Sequence, residues 1–282
     1  MTEPVVEAAP AKLNVFLRVL DARDDGYHAI ETLILPLDLY DVVTVEPAEA
    51  LEIVVDGPRT EELRAAGGEG LVARALEAIG AVIGPEATAI RVTVDKRIPV
   101  AAGLGGGSAD AAAVLRVLGR IHGLEGERLH AIAAAVGSDV PGLLQGGAVF
   151  ATGRGDRVLP VHAPPTVWVM KAFATAIKSE DAYAWWDEDG TTGPDPGALI
   201  AAVETGNLEL LGSALYDDLQ PGVERRHPEV AGTIGTFLDA GALGAIMSGS
   251  GPTVVALARH LVHADALARV VPGSIVVSGP PG

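Results

Sequence analysis

The chain has no cysteine. Disulfides, thiolate metal sites and cysteine nucleophiles are therefore excluded, and a reducing compartment fits. Basic residues are scarce: 20 lysines and arginines face 37 aspartates and glutamates, a formal net charge of −17. Nucleic-acid binders usually carry a basic face, so no nucleic-acid partner is expected. An anionic small molecule stays open, because a few local lysines and helix dipoles reverse the field locally. No apolar run approaches the length of a membrane span, so no membrane partner is expected. The start, Met1-Thr2-Glu3-Pro4, lacks the basic and apolar regions of a secretory signal. A cytoplasmic protein is the expectation. No His-Glu-x-x-His run occurs and the 7 histidines are scattered, so no metal-ligand set is read from the sequence.

Glycine, by contrast, is concentrated where it matters. Gly103-Leu104-Gly105-Gly106-Gly107-Ser108-Ala109-Asp110 places four glycines in five positions, removing the Cβ atoms that keep a ligand off the backbone. A strand-like Val92-Thr93-Val94-Asp95-Lys96-Arg97-Ile98-Pro99 precedes it, and a helix-like Ala109–Leu118 follows. The glycines thus open a helix N-terminus, where free N–H groups and the macrodipole favour an anion such as a phosphate. Ser108 follows Gly107 with no lysine between, and Asp110 sits where a third glycine would fall. The run is therefore neither a P-loop nor a dinucleotide fingerprint. On its own it reads equally as a tight turn before a helix. A side chain at Gly106 is expected to block the approach of a ligand to the backbone.

Hydrophobic residues make up 49% of the 282 positions and charged residues 20%, enough for a sizeable core in one large domain or two smaller ones. Strands are predicted over Leu13–Leu20, Ile30–Leu39, Asp41–Glu46 and Leu51–Val55. Apolar residues at Leu71, Ala75, Ala78, Ile79 and Val82 predict a helix over Gly70–Ile83. His162-Ala163-Pro164-Pro165 reads as a connection, dividing the chain into domains 1–162 and 163–282. Asp187–Pro196 reads as a loop, and helices are predicted over Pro196–Thr205, Leu208–Leu215, Val230–Ala240 and His263–Val270. Mixed helices and strands in both halves define an α/β or α+β class.

Three further segments stand out: Ala11-Lys12-Leu13-Asn14 with Asp25-Gly26-Tyr27-His28, then Gly137-Ser138-Asp139-Val140-Pro141, then Met247-Ser248-Gly249-Ser250-Gly251. Taken singly, Lys12 reads as a strand-edge lysine, Asp139 as a turn aspartate and Tyr27-His28 as hairpin residues. Together with the glycine run, and in the same order along the chain, they resemble the GHMP kinases, small-molecule kinases named for galactose, homoserine, mevalonate and phosphomevalonate. The paired Ala-Lys-Leu-Asn and Asp-Gly-Tyr-His are similar to the branch whose acceptor alcohol carries a cytidine diphosphate.

The resemblance implies a two-domain α+β fold. An N-terminal ATP-binding domain carries the glycine loop, and a ferredoxin-like C-terminal domain follows. ATP and acceptor are expected in the cleft between them, with Mg2+ as cofactor and a monomer or homodimer as the assembly. Gly103, Leu104, Gly105, Gly106, Gly107 and Ser108 match the triphosphate cradle, and Ser108 is also a candidate for the Mg2+ shell. Lys96 is a further candidate for nucleotide contact, though a surface lysine reads equally well. Asp139 matches the family's catalytic aspartate and Lys12 the lysine beside it. Asn14, Ser248 and Gly249 fall near the acceptor, while Tyr27, His28 and Tyr183 match a slot for the cytosine ring. Ala109 replaces a usual serine, Gly70 a common asparagine, and Asp217 stands where an asparagine is usual. Two alternatives remain: a homoserine- or mevalonate-type acceptor, and a catalytically silent nucleotide-binding regulator. Tyr27-His28 speaks against the first, and Lys12 with Asp139 against the second.

Overall fold

The computed structural model describes residues 3–24, 26–65, 70–84 and 89–281. Asp25 of the Asp-Gly-Tyr-His run lies outside them. Two compact units share the chain: Met1–Ala11, Leu39–Val100 and Gly105–Gly146 form one, and Lys12–Asp38, Ala101–Leu104 and Gly147–Gly282 form the other. Two long strands, β1 (Val5–Ala22) and β2 (His28–Pro47), contribute residues to both. The predicted strands at 30–39 and 41–46 are thus one element. Tyr40 and Asp41 do not interrupt it, because alternation carries on to the partner strand.

In the first unit β4 (Ile90–Asp95) pairs antiparallel with β2, from Val42 opposite Asp95 to Pro47 opposite Ile90. The short β3 (Glu52–Asp56) lies parallel on the other side of β4. Ile90, Val92 and Val94 alternate with polar residues and turn inward, the pattern of a strand with one buried face. After the short α1 (Thr60–Ala65), helices α2 (Gly70–Ile83), α3 (Gly106–His122), α4 (Gly126–Val136) and α5 (Val140–Gln145) share a core with Val43, Val45, Val92 and Val94. Ala109, Ala111, Ala112 and Ala113 are all fully buried. Their small size keeps α3 thin enough to be enclosed, and alanine gives it the highest intrinsic helix propensity. Gly105 (φ 66°) and Gly123 (φ 65°) bracket the helix in the left-handed region, which glycine enters without a Cβ clash.

The second unit holds a four-stranded antiparallel sheet of β7 (Thr166–Lys171), β9 (Gly244–Met247), β10 (Val254–Ala258) and β11 (Ile275–Gly279), in the order β11-β7-β10-β9. Numbered along the chain these strands run 4-1-3-2. With α10 (Pro228–Asp239) before β9 and α11 (Leu261–Val270) before β11, the order is that of a ferredoxin-like βαββαβ module. Between β7 and α10 lie α6 (Ser179–Asp189), α7 (Gly197–Thr205), α8 (Leu208–Ala214), the two-residue β8 (Tyr216–Asp217) and α9 (Gln220–Arg226). Part of the segment read as a loop, 187–189, belongs to α6. The same unit contains β5 (Val149–Gly153), antiparallel to β2, and β6 (Arg157–Pro160), antiparallel to β5. Among the described residues no helix is long and apolar enough to cross a membrane.

Candidate active site

The glycine loop forms as its composition demands. Gly103 (φ 76°) and Gly105 (φ 66°) both need the left-handed region. A Cβ on Gly103 would lie 2.1 Å from the Ser248 carbonyl oxygen, so glycine is also required by packing. The first helical bond of α3 runs from the Ala109 amide to the Gly105 carbonyl at 2.9 Å. The amides of Gly106, Gly107 and Ser108 come before it, at the positive end of a 17-residue helix. Such amides suit a phosphate. A Cβ on Gly107 would meet only Leu71, at an ordinary 3.4 Å.

Lys96 is neither a surface residue nor directed outward. It is 1% exposed, and its ammonium pairs with Asp41 and, at 2.6 Å, with Asp110. Burial pushes the Asp110 carboxyl up to about 7, with the Lys96 charge opposing and Asp41 reinforcing the shift. The ammonium packs under the first residue of α3: a Cβ on Gly106 would stand 2.9 Å from Lys96 Nζ and 3.1 Å from Ile98 Cγ2. A side chain at 106 therefore points into the core, not toward a ligand. Gly106→Val is accordingly expected to destabilise the fold by about 1–3 kcal/mol, the usual cost of overpacking. A thermal melt checks this, and an unchanged midpoint would place the side chain on the open face of the loop after all.

Asp139 directly precedes α5, with helical backbone (φ −82°, ψ −15°), and makes no side-chain capping bond to that helix. The turn reading rests on its backbone: the Asp139 carbonyl accepts from the Leu143 amide at 3.1 Å. The carboxylate has no part in that bond.

In the second unit, Lys12 and Asn14 point the same way from β1, as residues two apart on a strand must. Both are buried, at 4% and 2% exposure. The Lys12 ammonium donates to Asn14 Oδ1. Asn14 Nδ2 donates to the Thr32 hydroxyl at 2.7 Å, which donates to the Phe16 carbonyl at 2.7 Å. Each donor–acceptor choice along this chain fixes the next, so the orientation of the Asn14 amide is set. Ser248 is fully buried; its hydroxyl accepts from the Asn14 backbone N–H at 3.3 Å and donates to the Gly103 carbonyl at 3.1 Å. Gly249 (φ 58°) lies over the pair, where a Cβ would be 2.7 Å from Asn14 Oδ1 and 3.0 Å from Lys12 Nζ. Ser248 and Gly249 thus brace Lys12 and Asn14. Asp217 lies in the field of Lys12; burial pushes its carboxyl well above the usual range, opposed by the Leu219 amide and the Lys12 charge.

His28 stacks on Tyr183, ring centroids 5.3 Å apart at 12°, and meets the edge of Trp186 at 5.5 Å. His28 Nε2 is 2.8 Å from Asp187 Oδ1. Tyr27 is 51% exposed and lies against the Arg154 guanidinium, 5.5 Å from its ring centroid. His28 and Tyr183 are therefore brought into contact. Thr32, Asp41 and Trp186 carry no motif, and only the folded chain reveals them.

A glycine-rich helix N-terminus beside a mixed α+β layer in one unit, and a ferredoxin-like module in the other, define the architecture of a small-molecule kinase. The chain belongs to the GHMP kinase family: residues 70–155 match the GHMP kinases N terminal domain and residues 199–275 the GHMP kinases C terminal model. It accordingly uses ATP as phosphoryl donor. The 4-diphosphocytidyl-2-C-methyl-D-erythritol kinase of Anaeromyxobacter dehalogenans (strain 2CP-C) is 43% identical over 255 residues, 89% of this chain and 79% of that protein. The kinase of the same name from Nocardia farcinica (strain IFM 10152) is 37% identical over 279 residues, 96% of this chain and 90% of that one. A crystal structure of 4-(cytidine 5'-diphospho)-2C-methyl-D-erythritol kinase superposes with a TM-score of 0.80 at 32% identity, covering 99% of this chain and 100% of that chain. A homoserine kinase from Cytophaga hutchinsonii matches with a TM-score of 0.74 at 20% identity, a likeness of fold.

Proposed function

We propose that the chain transfers the γ-phosphoryl group of ATP to the 2-hydroxyl of 4-diphosphocytidyl-2-C-methyl-D-erythritol, a step of the non-mevalonate route to isoprenoid precursors in the cytoplasm. The observation that carries the acceptor is the likeness, over 89–96% of the chain, to relatives named for it. Along the sequence, residues 1–162 serve as the ATP-binding domain and 163–282 as the C-terminal domain, a division supported by family matches at 70–155 and 199–275, although residues 12–38, 101–104 and 147–162 belong to the same compact unit as the C-terminal part.

Each residue has a role its setting can perform. The Gly106, Gly107 and Ser108 amides hold phosphate oxygens by hydrogen bonds and the α3 dipole. Asp139 takes the proton of the acceptor hydroxyl as its oxygen attacks phosphorus. Lys12, aimed by Asn14, offsets charge developing on the transferred group. Asn14 keeps the acceptor in line, and Tyr27, His28 and Tyr183 hold the cytosine, which requires His28 and Tyr183 to part or to offer an outer face. Most of the rate enhancement is then positioning and electrostatics.

Mg2+ fits this donor set. Among the described residues no group of three or more His, Asp or Glu side chains could hold a metal, and Asp41 and Asp110 are engaged by Lys96. Mg2+ commonly takes only one or two protein oxygens, with phosphates and water completing its shell. The Ser108 hydroxyl at the start of α3 suits that single place. When bound, the ion neutralises charge on the phosphate oxygens.

The test is ADP release with purified protein, ATP and Mg2+. Turnover is expected with the cytidyl-diphosphate alcohol and not with mevalonate or homoserine. Equal turnover with either of those would remove the acceptor assignment and leave the kinase class. No turnover with any of them would favour the silent regulator.

A further inference from the structure

Lys96 is the one candidate whose surroundings point to a different task from the one its position suggests. Its ammonium joins three elements of the first unit. Asp41 comes from β2 and is 0% exposed; its Oδ1 accepts from the backbone amides of Arg97 at 2.6 Å and Ile98 at 2.8 Å. Lys96 itself directly follows β4. Asp110 comes from the second turn of α3, is 2% exposed, and keeps its Oδ1 without a hydrogen-bond partner. Directly above the ammonium is the backbone of Gly106, whose missing Cβ leaves the space the ammonium needs.

Two physical arguments narrow the role. A lysine charge already countered by Asp41 and flanked by a second carboxyl does not attract a triphosphate, so long-range electrostatics is not what the cluster supplies. Nor is stability the natural reason for it, since well-packed apolar residues of similar volume often replace a buried ion cluster at no loss. What hydrogen-bonded ions provide and apolar groups do not is direction: each bond fixes where one backbone segment stands relative to the others.

We propose that Asp41, Lys96 and Asp110 form a positioning clamp that sets the height and tilt of the first turn of α3, so that the Gly106, Gly107 and Ser108 amides are aimed at the nucleotide phosphates before ATP arrives. Lys96 then serves ATP through the clamp, without touching it. This rests on the reading of α3 as the phosphate site. Hydrogen bonds weaken steeply as distance and angle depart from their optimum, so loosening the clamp weakens phosphate recognition and has little effect on adenosine.

The experiment compares binding of a non-hydrolysable ATP analogue and of adenosine by wild type and Asp110→Asn, with thermal melts alongside. Asn keeps the shape and removes the charge that holds Lys96. The expected result in the folded variant is a Kd for the analogue raised about tenfold or more, the worth of one charge-assisted hydrogen bond, with adenosine affinity nearly unchanged. If Asp110→Asn does not fold, the charge-balanced Lys96→Met/Asp110→Asn double variant is judged by the same two affinities. Analogue affinity retained in a folded variant overturns the clamp, as does an equal loss for both ligands. Wild type that holds the analogue no more tightly than adenosine overturns the phosphate site itself, and the clamp with it.

Discussion

Replacing Asp139 with asparagine is expected to lower turnover by about two to four orders of magnitude, the range for loss of a general base. Binding of nucleotide should hardly change. Asparagine keeps the volume and the backbone: the carbonyl of residue 139 still accepts from Leu143, and α5 still starts at Val140. Because the Asp139 side chain does not cap α5, the substitution removes no capping bond, and the helix should form as before. What is lost is the negative charge and the capacity to accept a proton, which asparagine lacks at any accessible pH. Steady-state kcat with the cytidyl alcohol, set beside titration of a fluorescent ATP analogue, separates the two effects. Turnover near the wild-type value in a folded variant would show that Asp139 is a turn residue and that the base is elsewhere.

What could be read before folding follows a physical division. Elements with a clean period were legible: α2 carries its apolar residues at helical spacing and is found at the predicted bounds, Gly70–Ile83. The glycine loop was legible because its backbone requirement is written in its own residues, and Gly103 and Gly105 do adopt positive φ. The C-terminal part of α6 was not, since Trp185, Trp186 and three acids in a row after them give no apolar stripe. Nor was α5, whose Val140-Pro141 start reads as a turn although proline is well suited to the first turn of a helix. Pairings across the chain were hidden altogether. Lys96 is buried because Asp41 stands 55 residues before it and Asp110 14 residues after it. Thr32 orients Asn14 from 18 residues away, on a neighbouring strand. Local motifs name the groups that do chemistry; the groups that aim them are chosen by sheet register.

Lys12 carries the second large effect, and its setting supplies its own control. Lys12→Met is expected to reduce kcat by about 100- to 1000-fold, the scale for removing one electrostatic stabiliser of a developing negative charge. Methionine retains most of the length of the stem, so the losses include the charge of the ammonium and its bond to Asn14 Oδ1. The second of these is structural and has to be separated from the first. Thr32→Val does so, because it breaks the same chain one bond further on, at the Asn14 Nδ2 to Thr32 contact of 2.7 Å, and leaves the ammonium in place. Each hydrogen bond removed in this way costs about 1 kcal/mol, so Thr32→Val should lower stability visibly in a thermal melt while costing only a few-fold in kcat. If the two variants lose equal turnover, Lys12 is one strut in a buried polar chain. If Lys12→Met falls far below Thr32→Val at similar stability, the positive charge itself acts on the reacting phosphoryl group.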